Sequence, residues 1–592
     1  MRRPADQVRI KRRKRHRLGS AHGRRGSFRV DEQGREDAVR VTRSSSTAVT
    51  DEASAPDANP SVVVDTAILL RDPVAIETGD SDTIAASRLL LHAIDFRDVL
   101  VVTALAVATV LAHPARQILS MPYWTDEAWV ATLTRIPFSQ LREFSSSTPI
   151  GWLVLARLVP GSGLQRGRLL TLAFSVGAVV AAYVFARTLQ WGSRPRARFA
   201  GAVAGLVIML APVSLLRNDL KQYTSDACCA LIVLSTTART ERRGDRRSLI
   251  WMGAVALATL PFSTTSAFVA VAAFCSLFVA AVIARMRARI VDVVAVGAVI
   301  AVTSALFFAV FVLPSDTPLL RRYWNLSYLR GSPGEVLQTT WTRFGALAPK
   351  LGMPALVAVA LFVVGIVVLV RRGQSAVGLA VALLWIEAFV LGVARRYPFL
   401  DQRTSHYLLV SSLAVIAVGA VGLVAAVANK NEFAGAVLAV AMLSVFAYRV
   451  QPYVKTINIH SEDVRDPVAY VAAHRSANDV IVVNGSGAWG FSYYWPQGPV
   501  RLHKVTPDVV VAEAPAAHAI YATGRTDEAV LDALHSGLEQ QRQSGPGSRL
   551  FIVRTHLTPG ERAAWNKAFA ALDVTPHTVA SGPEPLLEID TP

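Results

Sequence analysis

Charge and cysteine are both scarce in this chain, and each scarcity removes a class of protein. Only 18% of its 592 residues are charged, where an ordinary soluble chain carries about 25%. The three cysteines, Cys228, Cys229 and Cys275, all fall inside apolar runs, so neither a disulfide framework nor a cysteine zinc site is indicated. We read in it no nucleotide-binding loop, no Walker motif and no Gly-rich fingerprint, and no cleavable signal peptide before the first full apolar run near Asp98. What the chain does have is apolar residues, 52% of the total, with a mean hydropathy of +0.37. They lie in long unbroken runs, and a bilayer core needs about 20 apolar residues per helix. The expectation is an α-helical polytopic membrane protein.

Apolar segments occur near 98–118, 168–190, 198–215, 221–238, 249–262, 265–284, 289–313, 352–370, 376–394, 406–428 and 433–450, which predicts about eleven transmembrane helices. The run at 150–159 has ten residues, too short to cross, and is expected to lie in or re-enter the interface. Net charge is +18. A basic arm, Lys11-Arg12-Arg13-Lys14-Arg15-His16-Arg17, opens the chain; ahead of a membrane helix such an arm holds its end in the cytoplasm, and nucleic-acid binding is not expected. With that end inside, every alternate loop carries cations: Arg194/Arg196/Arg198, the five arginines between Arg239 and Arg247, Arg285/Arg287/Arg289, Arg371/Arg372 and Lys430. The expected layout is a disordered basic cytoplasmic tail at 1–95, a transmembrane module at 96–452 and an extracytoplasmic α/β domain at 453–592. In that last part Asp479–Asn484 and Arg549–Arg554 read as strands, and Pro559–Leu572 as an amphipathic helix.

The remaining loops face outward and hold the chemistry-bearing residues. The first reads Pro122-Tyr-Trp-Thr-Asp126-Glu127-Ala-Trp129. Two adjacent carboxylates beside a low-dielectric surface suit a general base with a second acid; alternatively Asp126 caps a short helix over Glu127–Thr134. The second candidate runs Arg217-Asn-Asp219-Leu-Lys221-Gln-Tyr223-Thr-Ser-Asp226. Here Arg217 and Lys221 could clamp a phosphate with Tyr223 beside them, or snorkel as an interfacial belt. The third is Arg395-Arg396-Tyr397-Pro-Phe-Leu-Asp401-Gln-Arg403-Thr-Ser-His406-Tyr407, whose outward arginines call for an anion. Arg321-Arg322-Tyr323-Trp324 adds a cationic-aromatic cluster, and Glu387 sits in mid-span.

These motifs, in this order and on one side of the membrane, resemble GT-C fold glycosyltransferases, and most nearly the bacterial relatives of dolichyl-phosphate-mannose–protein mannosyltransferases (glycosyltransferase family 39-like). The resemblance rests on Trp124-Thr-Asp126-Glu127-Ala-Trp129, on Thr148-Pro149-Ile-Gly-Trp152-Leu-Val-Leu-Ala-Arg157-Leu, and on Arg168-Leu-Leu. It extends to Leu220–Asp226 and to Tyr397-Pro-Phe-Leu-Asp-Gln-Arg403, and spans roughly residues 98–450. Ser147-Thr148-Pro149 stands where the family has His-Pro-Pro, and Arg168-Leu-Leu-Thr where it has Arg-Leu-Pro-Ser. The resemblance implies inverting transfer of a sugar from a polyprenyl-phosphate carrier to a glycan, lipid or protein acceptor on the outer face of the cell membrane. It implies Asp126 as the base, Glu127 orienting it or binding the acceptor, and Arg217, Lys221 and Arg403 stabilising the departing phosphate. Tyr223, Arg322, Tyr397 and His406 complete the expected substrate-binding set. Some members use a divalent metal ion and others none; this sequence has no dedicated metal cluster. A transporter or flippase, and a catalytically degenerate envelope-assembly scaffold, are the alternative readings.

Overall fold

The computed structural model describes residues 95–145, 148–159, 166–315, 318–457, 462–506 and 509–590. The basic tail and Ser147 lie outside the described residues.

Every one of the eleven apolar segments is helical: Phe96–Ala112, Arg166–Thr188, Arg194–Leu210, Tyr223–Arg243, Arg246–Thr259, Ser266–Ile283, Arg287–Phe311, Ala355–Arg371, Ser375–Val393, His406–Ala428 and Glu432–Val450. Six helices are long and apolar enough to cross a membrane, and seven if the pair Pro333–Leu351 and Ala355–Arg371, bent by 82°, is one span. The chain is a multi-pass membrane protein. Fewer helices meet the length and hydropathy requirement than the eleven apolar segments, for physical reasons. Phe96–Ala112 and Arg194–Leu210 have 17 residues each, about 25 Å at 1.5 Å per residue against a core of about 30 Å. Proline ends both: Pro114 and Pro212 follow within two residues, and short helices Ala115–Ser120 and Pro212–Leu215 take over. Arg246–Thr259 has 14 residues, and Tyr223–Arg243 carries Asp226 and a charged last turn.

Helix His406–Ala428 runs through the middle of the bundle, buried on all sides from His406 to Gly419. Its neighbour Ala355–Arg371 approaches so closely that a Cβ on Gly365 would fall against the Val415 carbonyl, and one on Gly419 against the Leu361 carbonyl. Small residues are what allow such backbone contact between membrane helices. By contrast, the span over Arg287–Ser315 has only 6% of its apolar window buried, and Val291, Val294, Val299, Val302 and Leu306 lie on its exposed surface. One end of the bundle is tied by charge. Asp98 accepts from Tyr183 (2.6 Å) and from Nε of Arg187 (2.8 Å), and lies 3.3 Å from Nε of Arg198.

At the opposite end, the first long loop folds into helices Thr125–Leu133, Phe138–Phe144 and Ile150–Leu158. The last of these is the ten-residue run. It packs into protein, with Trp152 and Leu153 fully buried and the Gly151 N–H donating to the Pro261 carbonyl at 2.7 Å. A side chain at Gly151 would collide with Pro261.

The C-terminal part is a five-stranded sheet in the order β4-β1-β5-β7-β6. Strands β1 (Val480–Val483), β4 (Ile520–Tyr521) and β5 (Arg549–Val553) run parallel; β6 (His577–Ala580) and β7 (Leu586–Asp590) complete it antiparallel. The expected strands at 479–484 and 549–554 are β1 and β5, and the expected helix is Pro559–Ala571. A separate hairpin, β2 (Arg501–Thr506) with β3 (Val509–Glu513), shares its apolar core with the first loop: Val500, Leu502 and Ala512 pack with Tyr123, Leu133 and Trp152. The sequence reading needs one correction here. Gly485-Ser-Gly487-Ala-Trp-Gly490 does have Gly-rich spacing, after strand β1 and opening helix Gly487–Tyr494. The Gly487 N–H, however, is taken by the Asn484 carboxamide at 2.9 Å, and Gly490 makes room for Val464. These glycines serve packing.

Candidate functional site

The two adjacent acids of the first loop have different surroundings. The expected cap is absent. The helix starts at Thr125 after an extended Trp124, which puts Asp126 and Glu127 both in the first turn, where the helix dipole favours negative charge. Glu127 is 1% exposed. It accepts at 2.8 Å from Nε of Arg168, and a second close contact from Nη2 makes the pair bidentate. The Leu220 N–H also donates to it, at 2.6 Å. The remaining guanidinium donors of Arg168 go to the carbonyls of Ile118, Met121 and Pro122. This buried pair ties the loop to helix Arg166–Thr188 and leaves Glu127 no free oxygen for a substrate. Asp126, one position earlier and 30% exposed, turns the other way; its Oδ2 accepts from Nη1 of Arg403 at 3.1 Å.

Arg403 brings the third predicted motif to the first. The turn that holds it is made by Asp401, whose Oδ1 accepts from the N–H groups of Arg403 (3.0 Å) and Thr404 (3.1 Å). Leu400 supports it in the left-handed region, φ 51°. Tyr397 braces the same turn by donating to the Thr404 carbonyl at 2.9 Å, with its ring edge-on to Phe268. The second guanidinium nitrogen of Arg403 donates to the Tyr323 hydroxyl at 2.9 Å, and Trp124 and Trp324 lie about its faces. Burial opposes the charge of Arg403, but Tyr223, Tyr323, Asp126 and Asp401 around it hold its proton more firmly than usual. Arg322 is exposed on the helix that ends at Tyr323.

The second motif lies beneath. Lys221 is 5% exposed, with its ammonium 4.7 Å from the centre of the Trp129 ring, among the charges of Asp126, Arg403, Asp219 and Glu127. Arg217 is 4% exposed and sits 3.9 Å from Asp219 and over the Tyr223 ring. Its Nε and Nη1 have no hydrogen-bond partner among the described residues. A buried guanidinium with unused donors is costly unless something anionic meets it. His406 is buried with Nδ1 unpaired among the described residues; it lines a small void with His113, Ser214 and Thr224 and with the apolar Ile208, Met209 and Val410. Asp126, Lys221, Tyr223, Tyr323 and Arg403 thus form one cluster with Arg217 against Tyr223. Asp226 is engaged by Ser263 and Thr265, and Glu387 lies within the bundle near Cys275 and Tyr407.

Sequence reasoning missed the residues that the α/β part adds. Glu462 accepts from the Thr125 N–H at 3.1 Å and meets Nδ1 of His556 at 2.5 Å. His556 follows strand β5 at φ 53°. Tyr494 takes the Tyr123 N–H at 2.5 Å, and Trp489 packs on Trp129. No local signal marks these residues, because their partners lie from 94 to 371 positions away. Among the described residues, one group of three could hold a metal ion: His577, Glu588 and Asp590 on β6 and β7, in the C-terminal sheet and separate from Asp126.

No family model matches the chain, and no curated protein does. Solved structures do align with it. The oligosaccharyltransferase of Archaeoglobus fulgidus, in complex with zinc and sulfate, is 12% identical over 77% of this chain and 67% of its own, at TM-score 0.48. The same organism's AglB with an inhibitory peptide and a dolichol-phosphate gives 11%, 78%, 69% and 0.46. ArnT from Cupriavidus metallidurans bound to undecaprenyl phosphate is 14% identical over 83% of this chain and 99% of its own, at 0.45. With TM-scores below 0.5, these likenesses carry no argument about this chain.

Proposed function

We propose that this protein is a membrane glycosyltransferase that moves a sugar from a polyprenyl-phosphate donor to a glycan, lipid or protein acceptor at the outer face of the cell membrane. The observation that carries the reading is the division of labour within one cluster. A part-exposed carboxylate, Asp126, sits 3.1 Å from Arg403, and Nε and Nη1 of buried Arg217 have no hydrogen-bond partner among the described residues. In this reading Asp126 takes the proton of the acceptor hydroxyl as its oxygen attacks the anomeric carbon. The bond from that carbon to the phosphate oxygen breaks, its electron pair stays on the phosphate, and configuration inverts. Arg403, Lys221 and Arg217 receive the developing charge, which is where fixed cations lower a barrier most. Tyr223 and Tyr397 hold that cationic face, Arg322 lies at its rim, and His406 supports Arg217 from within. Glu127 acts through Arg168, fixing the helix that presents Asp126. The remaining placement, with the N-terminus cytoplasmic and residues 453–592 outside, follows the arginine pattern of the loops.

The test is turnover in nanodiscs with a panel of radiolabelled polyprenyl-phosphate sugars and lipid extract as acceptor. Wild type should consume one donor, and Asp126→Asn should lower the rate by a factor of about 10² to 10⁴ while inserting normally. An Asp126→Asn protein as active as wild type would refute the base. Turnover by neither, with flux abolished by Glu387→Gln, would favour transport.

A further inference from the structure

The helix that presents Asp126 begins with exposed backbone donors, and one of them is claimed by a residue 337 positions later. The Thr125 N–H donates to Oε2 of Glu462 at 3.1 Å. The other oxygen of Glu462 meets Nδ1 of His556 at 2.5 Å. His556 is not placed by chance. Its backbone is left-handed, φ 53°, a conformation costly for a non-glycine residue and tolerated where the surroundings impose it. Glu584 imposes it, accepting from the His556 N–H at 3.2 Å and from the Thr555 hydroxyl at 2.9 Å. His556 also follows the carboxyl end of strand β5, which runs parallel to its neighbour β1, the edge at which open α/β sheets gather functional groups.

We infer that Glu462 and His556 are positioning residues for the Asp126 site: the carboxylate holds the first turn of helix Thr125–Leu133 through the Thr125 N–H, and the imidazole orients and charges that carboxylate. The α/β part therefore completes the site and is not an appendage to it. This rests on the proposed function for its catalytic consequence, though not for the contact itself. The groups facing His556 are Glu462, Glu584, Glu561 and Asp126, with Arg525 opposing them as a cation and Arg554 near Glu561 and Glu584. The hydrogen bond that the ring donates to Glu462 raises the imidazole above its ordinary 6.5. Burial pushes Glu462 up, but His556 outweighs it and holds the carboxylate below its usual range. A raised histidine is protonated at low pH and gives up its charge as pH climbs through its folded value. The clasp is thus intact from the lowered range of Glu462 up to the raised range of His556, and it weakens as pH climbs through the latter or falls through the former.

Two readouts separate this inference from the reading beneath it. The first needs no substrate: amide exchange of the segment 122–133 in nanodiscs should be at least tenfold faster in Glu462→Gln and His556→Gln than in wild type. Unchanged exchange overturns the inference, whether or not any donor is turned over. The second is the pH–rate profile of the active donor. Wild type should show a basic limb lying above the ordinary imidazole range, and His556→Gln should lose that limb while donor KM stays within twofold. A variant that is merely misfolded would lose rate equally at all pH values. Thr125→Pro removes the N–H together with the side-chain hydroxyl. Proline is tolerated at the first helical position, and extended Trp124, ψ 171°, suits the residue before it. This variant should reproduce the Glu462→Gln loss in kcat; wild-type kcat in Thr125→Pro would overturn the positioning role.

Discussion

Two carboxylates one bond apart in sequence, Asp126 and Glu127, divide into an accessible acid and a buried anchor, and the division predicts opposite phenotypes. Glu127→Gln leaves Arg168 as a buried, unbalanced charge and should cost about 3–5 kcal/mol of stability, seen as a large drop in the thermal midpoint in detergent. Asp126→Asn disturbs a part-exposed pair with Arg403 and should move stability by no more than about 1 kcal/mol while abolishing turnover. Arg217→Gln removes a cation whose Nε and Nη1 are unpaired among the described residues. Each charge-assisted bond to a phosphate is worth about 1.5–3 kcal/mol, so donor KM should rise about 10- to 100-fold with little change in unfolding. At this scale the sequence was informative where chemistry is concentrated. Asp126, Arg217, Lys221, Tyr223 and Arg403 stood out because charge beside a bilayer demands a reason. Glu462 and His556 did not, because a carboxylate and a histidine in a polar tail are unremarkable until the fold brings them to Thr125. Tyr397 was legible from its motif and Arg322 from a cationic-aromatic cluster; the fold sets Tyr397 against the turn around Asp401 and has Arg322 exposed.

Among the elements, hydropathy located the helices well, since a 20-residue apolar run has few alternatives. Hydropathy does not register the proline breaks at Pro114 and Pro212, which end two of the apolar runs as 17-residue helices. Strands β1 and β5 were legible as short apolar runs flanked by polar residues. The β2–β3 hairpin was not, since Leu502, Val511 and their neighbours read as half-buried only once the first loop covers them. Close helix packing was equally hidden. Gly365 and Gly419 sit in apolar runs like any other glycine, yet each faces a backbone carbonyl across the helix pair. Gly365→Val should force the helices apart at a cost of at least about 1–3 kcal/mol, while Gly373→Ala, at φ 67° with nothing within 4 Å, should show only the smaller cost of its left-handed backbone. Unfolding in mixed micelles would rank the two.

For the whole molecule, the informative contact is the one between the first loop and the C-terminal part. It combines ring contacts (Trp129 with Trp489, Tyr123 with Tyr493), the Arg135 bond to the Tyr493 carbonyl at 2.6 Å, and a surface ion pair between Lys504 and Glu143. These differ in worth. Lys504→Gln breaks an exposed pair and should leave amide exchange over Thr125–Leu133 unchanged. Trp489→Ala opens the packed face and should accelerate it.

The same contact has a consequence in time. The Tyr123 N–H waits for a hydroxyl 371 residues downstream, which at about 5–20 residues per second takes the ribosome about 20–70 s to supply. Throughout that interval the nascent loop carries unpaired aromatics at the membrane surface, and the helix bearing Asp126 has an open amide at its start. Chains cut short before residue 462 can insert their spans but never acquire that clasp, so translation itself finishes the site last.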